Sequence, residues 1–400
     1  MGRSCDLRID PYNTLCYNHL TMQASAQKDL HVALNAHLLS GQASYRSAGV
    51  HQYIHQLLRH LDGVDADVRI TALIGARAPQ PPTEIDLVRA SQDTRKPSRR
   101  VIWEQSVQPR VLRRIEADLA HGPVFVGPLL SPCPVVTTIH DLSFIRFPHL
   151  FRPANRLYLK TMTRLSARAA RRVIAVSDHT ARETVELLGV PRKRISVVYH
   201  GVDPAFQPLP AGQVAAFRAN RDLPERFVLF VGTLEPRKNL TRLIEAFARI
   251  REKESKLVLV GGKGWLYDQL FARVDELDLR DVVLFPGYVP NGELPLWYNA
   301  ATVFAYPSLY EGFGMPVTEA QACGTPVMAS NTTSLPEAAG EAALLVDPLD
   351  IEAIAAGLNR LLGDHALREQ FTEQGLGHAH TFTWSRTARE TVQVYRQASV

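Results

Sequence analysis

The stretch FVLFVGTLEPRKNLTRLIEAFARI, residues 227–250, decides the fold. Five apolar, β-favouring residues run into a Gly-Thr turn, and after a charged loop an amphipathic helix begins near Asn239. A buried strand, a turn and a helix in that order make one step of a parallel sheet, since a parallel neighbour is reached only by a crossover. The step recurs downstream. KLVLVGG precedes WLYDQLFARVDEL, VVLFPGYV precedes ELPLWYNAA, TVFAYPS precedes PVTEAQAC, TPVMAS precedes a helix near LPEAA, and ALLVD closes the series.

Upstream, from Leu30, the runs HVALNA, VRITALIG, PVVTTIHD, RVIAVS and ISVVYHG alternate with helical patterns in the same way. Between the two series GVDPAFQPLPAGQ, residues 201–213, has the proline and glycine content of a linker. The expected architecture is α/β, with two doubly wound Rossmann-like domains over residues 30–205 and 206–384 facing a central cleft. Residues 1–29 are expected to be an extension, with Met22 an alternative start. A last helix, about 385–400, is expected to pack back on the first domain. A chain of 400 residues suits two such units at roughly 150 or more residues per domain.

The net charge of +5 and a pI near 9.0 favour anionic partners: phosphorylated substrates, nucleic acid or an anionic membrane surface. Cys5, Cys16, Cys133 and Cys323 stand far apart without a CxxC pair, which argues against zinc and a disulfide framework and for a reducing cytoplasm. No apolar run reaches the ~18 residues of a spanning helix, and MGRSCD fails the myristoylation pattern. HQYIH, residues 51–55, has zinc-protease spacing but Gln52 in place of the required Glu, and no GxGxxG follows the first strand. The basic run Arg156 to Arg172 reads either as a solvated helix face or as a contact for anionic lipid.

Two loops carry the chemistry. In EGFGMPVTEA, residues 311–320, Glu311 belongs to a loop at a strand's carboxyl end, and Glu319 lies in the first turn of the next helix or just beyond. Pro316 suits the first helical position, and Gly312 and Gly314 permit close backbone approach to a ligand. A helix N-terminus there favours a phosphate, although it would stabilise Glu319 without any ligand. In GTLEPRKNL, residues 232–240, Arg237 and Lys238 sit at the positive end of a helix capped by Asn239, so an anion is expected beside them. A diphosphate fits, gripped by Arg and neutralised by Lys; two solvated cations are the plainer alternative.

VGTLEPRKNL and YPSLYEGFGMPVTEAQACGTPV together resemble the group 1 (family 4) retaining glycosyltransferases with the GT-B fold, a likeness running from about Leu30 over nearly the whole chain. The resemblance implies that Arg237 and Lys238 bind the donor diphosphate, Glu319 the ribose, and Glu311 the donor sugar. It implies further that the backbone of Gly312, Phe313 and Gly314 cradles phosphate and sugar, that Gly49 and Gly232 lie near the phosphates, and that His140 contacts the sugar near its reacting carbon. Gly262, Tyr288 and Val289 are placed near the base. Two departures are Ala48-Gly49 for the usual double glycine and His200 in place of Asn before Gly-Val-Asp203.

The expected activity is transfer of a hexose with retention, without a metal or other cofactor. GDP-mannose is the first choice of donor, in the manner of the mannosyltransferases of surface polysaccharide assembly, and a UDP-hexose the alternative. The resemblance implies that the first domain, residues 30–205, holds the acceptor and the second, residues 206–384, the nucleotide-sugar donor. The acceptor is a carbohydrate or a lipid-linked glycan, and the expected location is cytoplasmic, with peripheral contact at the inner face of a membrane. A non-catalytic sugar-nucleotide-binding subunit is the second reading. Nucleic acid is not expected as a partner, since no stacking or helix-turn-helix motif accompanies the charge.

Overall fold

Val- and Ile-rich runs become central strands because both faces of a parallel sheet are covered by its own crossover helices. The computed structural model describes residues 29–39, 48–81, 83–94, 96–250, 254–262, 264 and 268–400. The expectations for residues 1–28, including Met22, and for the start of the helical run at Trp265 fall outside these, as do residues 44–47 ahead of Gly49.

Among the described residues the strands form two sheets with every pairing parallel. The first holds β1 (Leu30–Asn35), β2 (Val68–Ile74), β3 (Asp86–Arg89), β4 (Leu119–Gly122), β5 (Val135–Ile139), β6 (Arg172–Ala175) and β7 (Ile195–Val197), in the order β3-β2-β1-β4-β5-β6-β7. The second holds β8 (Phe227–Val231), β9 (Lys256–Val260), β10 (Val283–Gly287), β11 (Val303–Tyr306), β12 (Val327–Ser330) and β13 (Ala343–Val346), in the order β10-β9-β8-β11-β12-β13. In each sheet the chain winds outward from its first strand and then returns to that strand's other side. The windings reverse between β1 and β4 and between β8 and β11, and open α/β sheets bind ligands outside the carboxyl ends at such switch points.

All six strands of the second sheet lie where the apolar runs predict them. In the first sheet β3 and β4 escape the periodicity. DLVR is a four-residue edge strand, and LAHG contains no β-branched residue, yet all four of its residues are buried. The linker ends earlier than expected, because residues 211–213 already form the first turn of the helix Ala211–Asn220.

The chain crosses between sheets twice, side by side: Val202 N–H donates to the Phe382 carbonyl at 3.0 Å, and Val202 is bridged to Thr383. Thr383 then caps the helix Trp384–Ser399, its hydroxyl accepting from Arg386 N–H. That helix packs on the first sheet, burying Ala388, Val392 and Tyr395 in one cluster with Val32, Val136 and Ile174. The basic run divides: Pro153–Ala169 is helix, while Arg172 opens β6. No described helix is long and apolar enough to cross a membrane.

Candidate active site

At the β8/β11 switch point the two motif loops meet. Arg237 and Lys238 stand on a short 3-10 turn, Pro236–Lys238, after β8, and Glu311 stands on the loop after β11. Lys238 Nζ donates to Glu311 Oε1 at 2.6 Å and to the Tyr306 hydroxyl at 2.6 Å. Arg237 donates to Glu311 Oε2 at 3.0 Å, to the Tyr310 carbonyl at 2.6 Å and to Glu235 Oε1 at 2.8 Å. Ser308 adds a hydroxyl to Glu311 Oε1 at 2.6 Å. Glu311 and Glu235 thus supply anionic partners to the two cations.

Lys238 and Glu311 are 7% and 8% exposed, so these contacts act where water screens little. Burial pushes the Glu311 carboxyl up, but Lys238 and Arg237 overturn that and hold it down at about 2. Burial lowers Lys238 despite the pull of Glu311.

Asn239 is not the side-chain cap that its position suggests. It adopts a left-handed conformation, φ 62°, and its amide donates to the Pro307 and Pro348 carbonyls at 3.0 and 2.6 Å, tying the β8 loop to those after β11 and β13. Gly232 and Gly262 lie side by side, since Gly232 N–H reaches the Val260 carbonyl at 2.9 Å and Leu234 N–H reaches the Gly262 carbonyl at 3.0 Å. The β10 turn joins them through Gly261 N–H to the Gly287 carbonyl at 2.9 Å, which brings up exposed Tyr288 and buried Val289.

The glycine turn is where the two sheets touch. A Cβ on Gly312 would lie 1.7 Å from the His140 carbonyl oxygen, so no other residue fits this approach. The Gly312 carbonyl accepts from Ser177 Oγ at 2.6 Å and Thr180 Oγ1 at 3.0 Å, and Ser334 Oγ holds the Glu311 and Phe313 carbonyls at 2.9 and 2.8 Å. Because N–H and C=O point oppositely across a trans peptide, the N–H groups of Gly312, Phe313 and Gly314 turn away from these hydroxyls. Gly314 has φ 117° ahead of the helix Met315–Ala322, which puts Pro316 at its second position and Glu319 beyond its first turn. Gly49 lies against Met315, whose Cε would sit 3.7 Å from a Cβ there. The Phe313 ring is buried against Tyr199, His200 and Phe382.

His140, at the end of β5, donates from Nε2 to the Pro123 carbonyl at 2.8 Å, which fixes the ring. Burial lowers its pKa, favouring neutral imidazole. Glu319 stays outside the cation cluster: Tyr298 donates to it at 3.0 Å, and burial raises its carboxyl to about 7, with Asp203 acting in the same direction. His51 and His55 face each other along the helix Ala48–Leu61 with ring centroids 6.1 Å apart, and no group able to hold a metal ion occurs among the described residues.

Sequence reading missed the residues that clamp the site. Tyr310 receives Leu142 N–H at 2.9 Å and donates to Glu183, and Glu337 accepts from the N–H groups of Asp178 and His179 at 2.7 and 2.8 Å. Tyr306, Ser308 and Tyr310 stand inside the quoted motif, but only packing reveals which way they face.

Residues 47–206 match the profile of Glycosyltransferase Family 4, and residues 214–398 match that of Glycosyl transferases group 1. The O-antigen chain mannosyltransferase B of Escherichia coli is 35% identical over 295 residues, 72% of this chain and 77% of that protein. Among solved structures, sucrose-phosphate synthase from Thermosynechococcus elongatus superposes with a TM-score of 0.73 at 23% identity, covering 92% of this chain and 98% of its own. HepE of Anabaena, solved with UDP and glucose, gives 0.72 at 18% identity, covering 91% and 98%.

Proposed function

Because the chain belongs to the group 1, family 4 glycosyltransferases and has the GT-B fold, we propose that it moves mannose from GDP-mannose to a hydroxyl of a carbohydrate or lipid-linked acceptor. The observation that carries this reading is the meeting of Arg237, Lys238 and Glu311 at the β8/β11 switch point. Choice of mannose rests on the mannosyltransferase relative.

In this reading Arg237 and Lys238 take up the charge of the departing diphosphate, where low dielectric makes each contact count. Glu311 gives up part of its hold on them and accepts from hydroxyls of the donor sugar. The N–H groups of Gly312, Phe313 and Gly314 receive phosphate and sugar oxygens, Gly49 and Gly232 leave room for the phosphates, and Glu319 takes the ribose. Gly262, Tyr288 and Val289 border the base. His140 lies against the sugar face near the reacting carbon. Retention follows a front-face route in which the leaving diphosphate helps deprotonate the incoming hydroxyl. The protein contributes position and charge, with no metal, and closure of the sheets excludes water.

Peripheral contact with the inner face of a membrane is supported by the helix Pro153–Ala169, which carries no acidic residue and exposes Arg156, Leu157, Lys160, Arg164 and Leu165.

Calorimetric titration with GDP, UDP and ADP, first without and then with divalent metal, tests the reading. Preference for GDP without metal supports it, and preference for UDP or ADP changes the donor. Binding of none of the three removes the diphosphate site.

A further inference from the structure

The second sheet has a cavity at the end away from the donor loops. Thr302 and Pro326, the residues directly ahead of β11 and β12, form part of its floor. The length of a four-residue strand, about 13 Å, therefore separates it from the loop that holds Glu311. Its volume of about 540 Å³ is that of a small-molecule site. Arg218 and Arg368 line it half-buried, while Glu369 and Glu373 line it exposed, so the guanidinia lie deep and the carboxylates at the rim.

Each guanidinium is pinned by backbone. Arg218 Nε donates at 3.1 Å to the carbonyl of Ala300, the last residue of the helix Leu294–Ala300. Arg368 Nη1 donates at 2.7 and 2.9 Å to the carbonyls of Leu361 and Leu362, in the last turn of the helix Ile351–Gly363. A cation at the carboxyl end of a helix needs no ligand to explain it. Capping does not explain a third guanidinium: Arg226, just ahead of β8, also donates to the Leu362 carbonyl. Two like charges thus share one acceptor. Burial and Arg226 lower the pKa of Arg368, while Asp364 and Glu369 each pull the other way by less. Among the described residues neither Arg218 nor Arg368 has a carboxylate within ion-pair distance, which leaves Nη1 of Arg218 and Nε and Nη2 of Arg368 to donate elsewhere.

We propose that this cavity is a second ligand site, separate from the donor cleft, for a phosphate monoester carried on a polyol, as in a sugar phosphate. The dianionic phosphate takes the remaining N–H groups of Arg218 and Arg368 and relieves the crowding between Arg368 and Arg226. Hydroxyls of the polyol then donate to the carboxylates at the rim. Glu369 is shared with His365 at 3.4 Å, so Glu373 is the freer acceptor. The same two carboxylates repel a ligand with a second phosphate, which sets this site apart from one for a nucleoside diphosphate.

Calorimetric titration of the full chain, saturated with the nucleoside diphosphate it prefers, tests this with mannose 1-phosphate, glucose 6-phosphate and inorganic phosphate as probes. At least one sugar phosphate binds, one per chain and about tenfold more tightly than inorganic phosphate. Arg368→Gln weakens that sugar phosphate about tenfold and leaves the affinity for the nucleoside diphosphate unchanged. Should Arg368→Gln not fold, Glu373→Gln, an exposed change that keeps both guanidinia, weakens the sugar phosphate a few-fold and inorganic phosphate not at all. Binding of neither sugar phosphate, binding no tighter than that of inorganic phosphate, or affinities that the variants leave unchanged overturns the site. So does binding that the nucleoside diphosphate abolishes, since the probe then lies in the donor cleft. The transferase reading fails on a different result, the absence of nucleoside diphosphate binding, and the titration of the free chain, compared with Arg368→Gln, still decides this site.

Discussion

The two switch points occupy the same place in two similar sheets and solve opposite electrostatic problems. Beyond β8 and β11 two cations face two carboxylates with contacts of 2.6 to 3.0 Å, and Glu311 is held down at about 2. Beyond β1 and β4, among the described residues, one carboxylate, that of Glu104, has one amide donor and a guanidinium at 3.7 Å, and burial raises it. The sheets set the location and the loops set the charge. A neutralised but dense cluster suits a multiply charged group that exchanges partners with it, while a buried carboxylate with one amide donor and a more distant guanidinium does not.

The difference is broken most severely by Lys238→Ala, which removes the buried cation proposed to face the diphosphate. We expect kcat/KM to fall by about 10²- to 10³-fold, and an unchanged value would falsify the assigned role. Next is Glu311→Gln. Removing the carboxylate strands Lys238 and leaves Arg237 paired with Glu235 alone, for a loss of about 3 kcal/mol. The nucleoside diphosphate that binds in calorimetry should then raise Tm more in this variant than in the wild type, since its charge replaces the carboxylate. An equal rise in both would mean that ligand and carboxylate do not compete.

A smaller effect belongs to Gly312→Ala, whose Cβ forces the glycine turn off the His140 carbonyl. Rapid-mixing kinetics should show kcat down about tenfold, as expected when a closure step is impaired, with a smaller loss of diphosphate affinity, since the same turn receives the phosphates. Loss of affinity alone would place the turn in binding and not in closure.

The gentlest probe is pH. Glu104 and Glu319 have carboxyls raised in the folded chain, so the native state binds protons that the unfolded state has released. Their contribution to stability is present at low pH and lost as pH rises from the ordinary carboxylate range, ending near 7 for Glu319. Glu311 is depressed and works the other way, holding its contribution until pH falls toward 2. In denaturant titrations from pH 5 to pH 8 the histidines His37, His121, His140 and His200, whose lowered pKa values make stability rise with pH, set an opposing background. The Glu319 effect is therefore read as a difference: wild type should lose stability relative to Glu319→Gln as pH rises, and a difference independent of pH would put the burial of Glu319 in doubt.

How far these sites were legible varies with the range of the interactions that make them. The β8 and β11 loops stood out because motif residues cluster within a few positions. Arg237, Lys238, Glu311 and the glycine turn are all local signals at strand ends. Glu104, by contrast, stands in a π-helical turn, Trp103–Val107, with no motif around it. Its meaning depends on Asn35, 69 residues away in the chain. The Asn239 cap failed for the same reason: a local rule was overridden by carbonyls 68 and 109 positions away.

By itself the sequence determined the class of fold, the alternation of strand and helix, the six strands of the second sheet and the two loops that carry charge. These rest on short-range regularities: apolar runs for strands buried on both faces, amphipathic period for crossovers, and glycines at turns. Only the tertiary structure decided that LAHG is a strand, held in the core by His121, which bonds Thr138 at 2.8 Å and Tyr395 at 2.7 Å. It alone decided that the anion beside Arg237 and Lys238 is Glu311, and that the His140 carbonyl abuts Gly312. Each of these pairs residues far apart in the chain, and burial gives the pairing its energy by removing the water that would otherwise satisfy them separately.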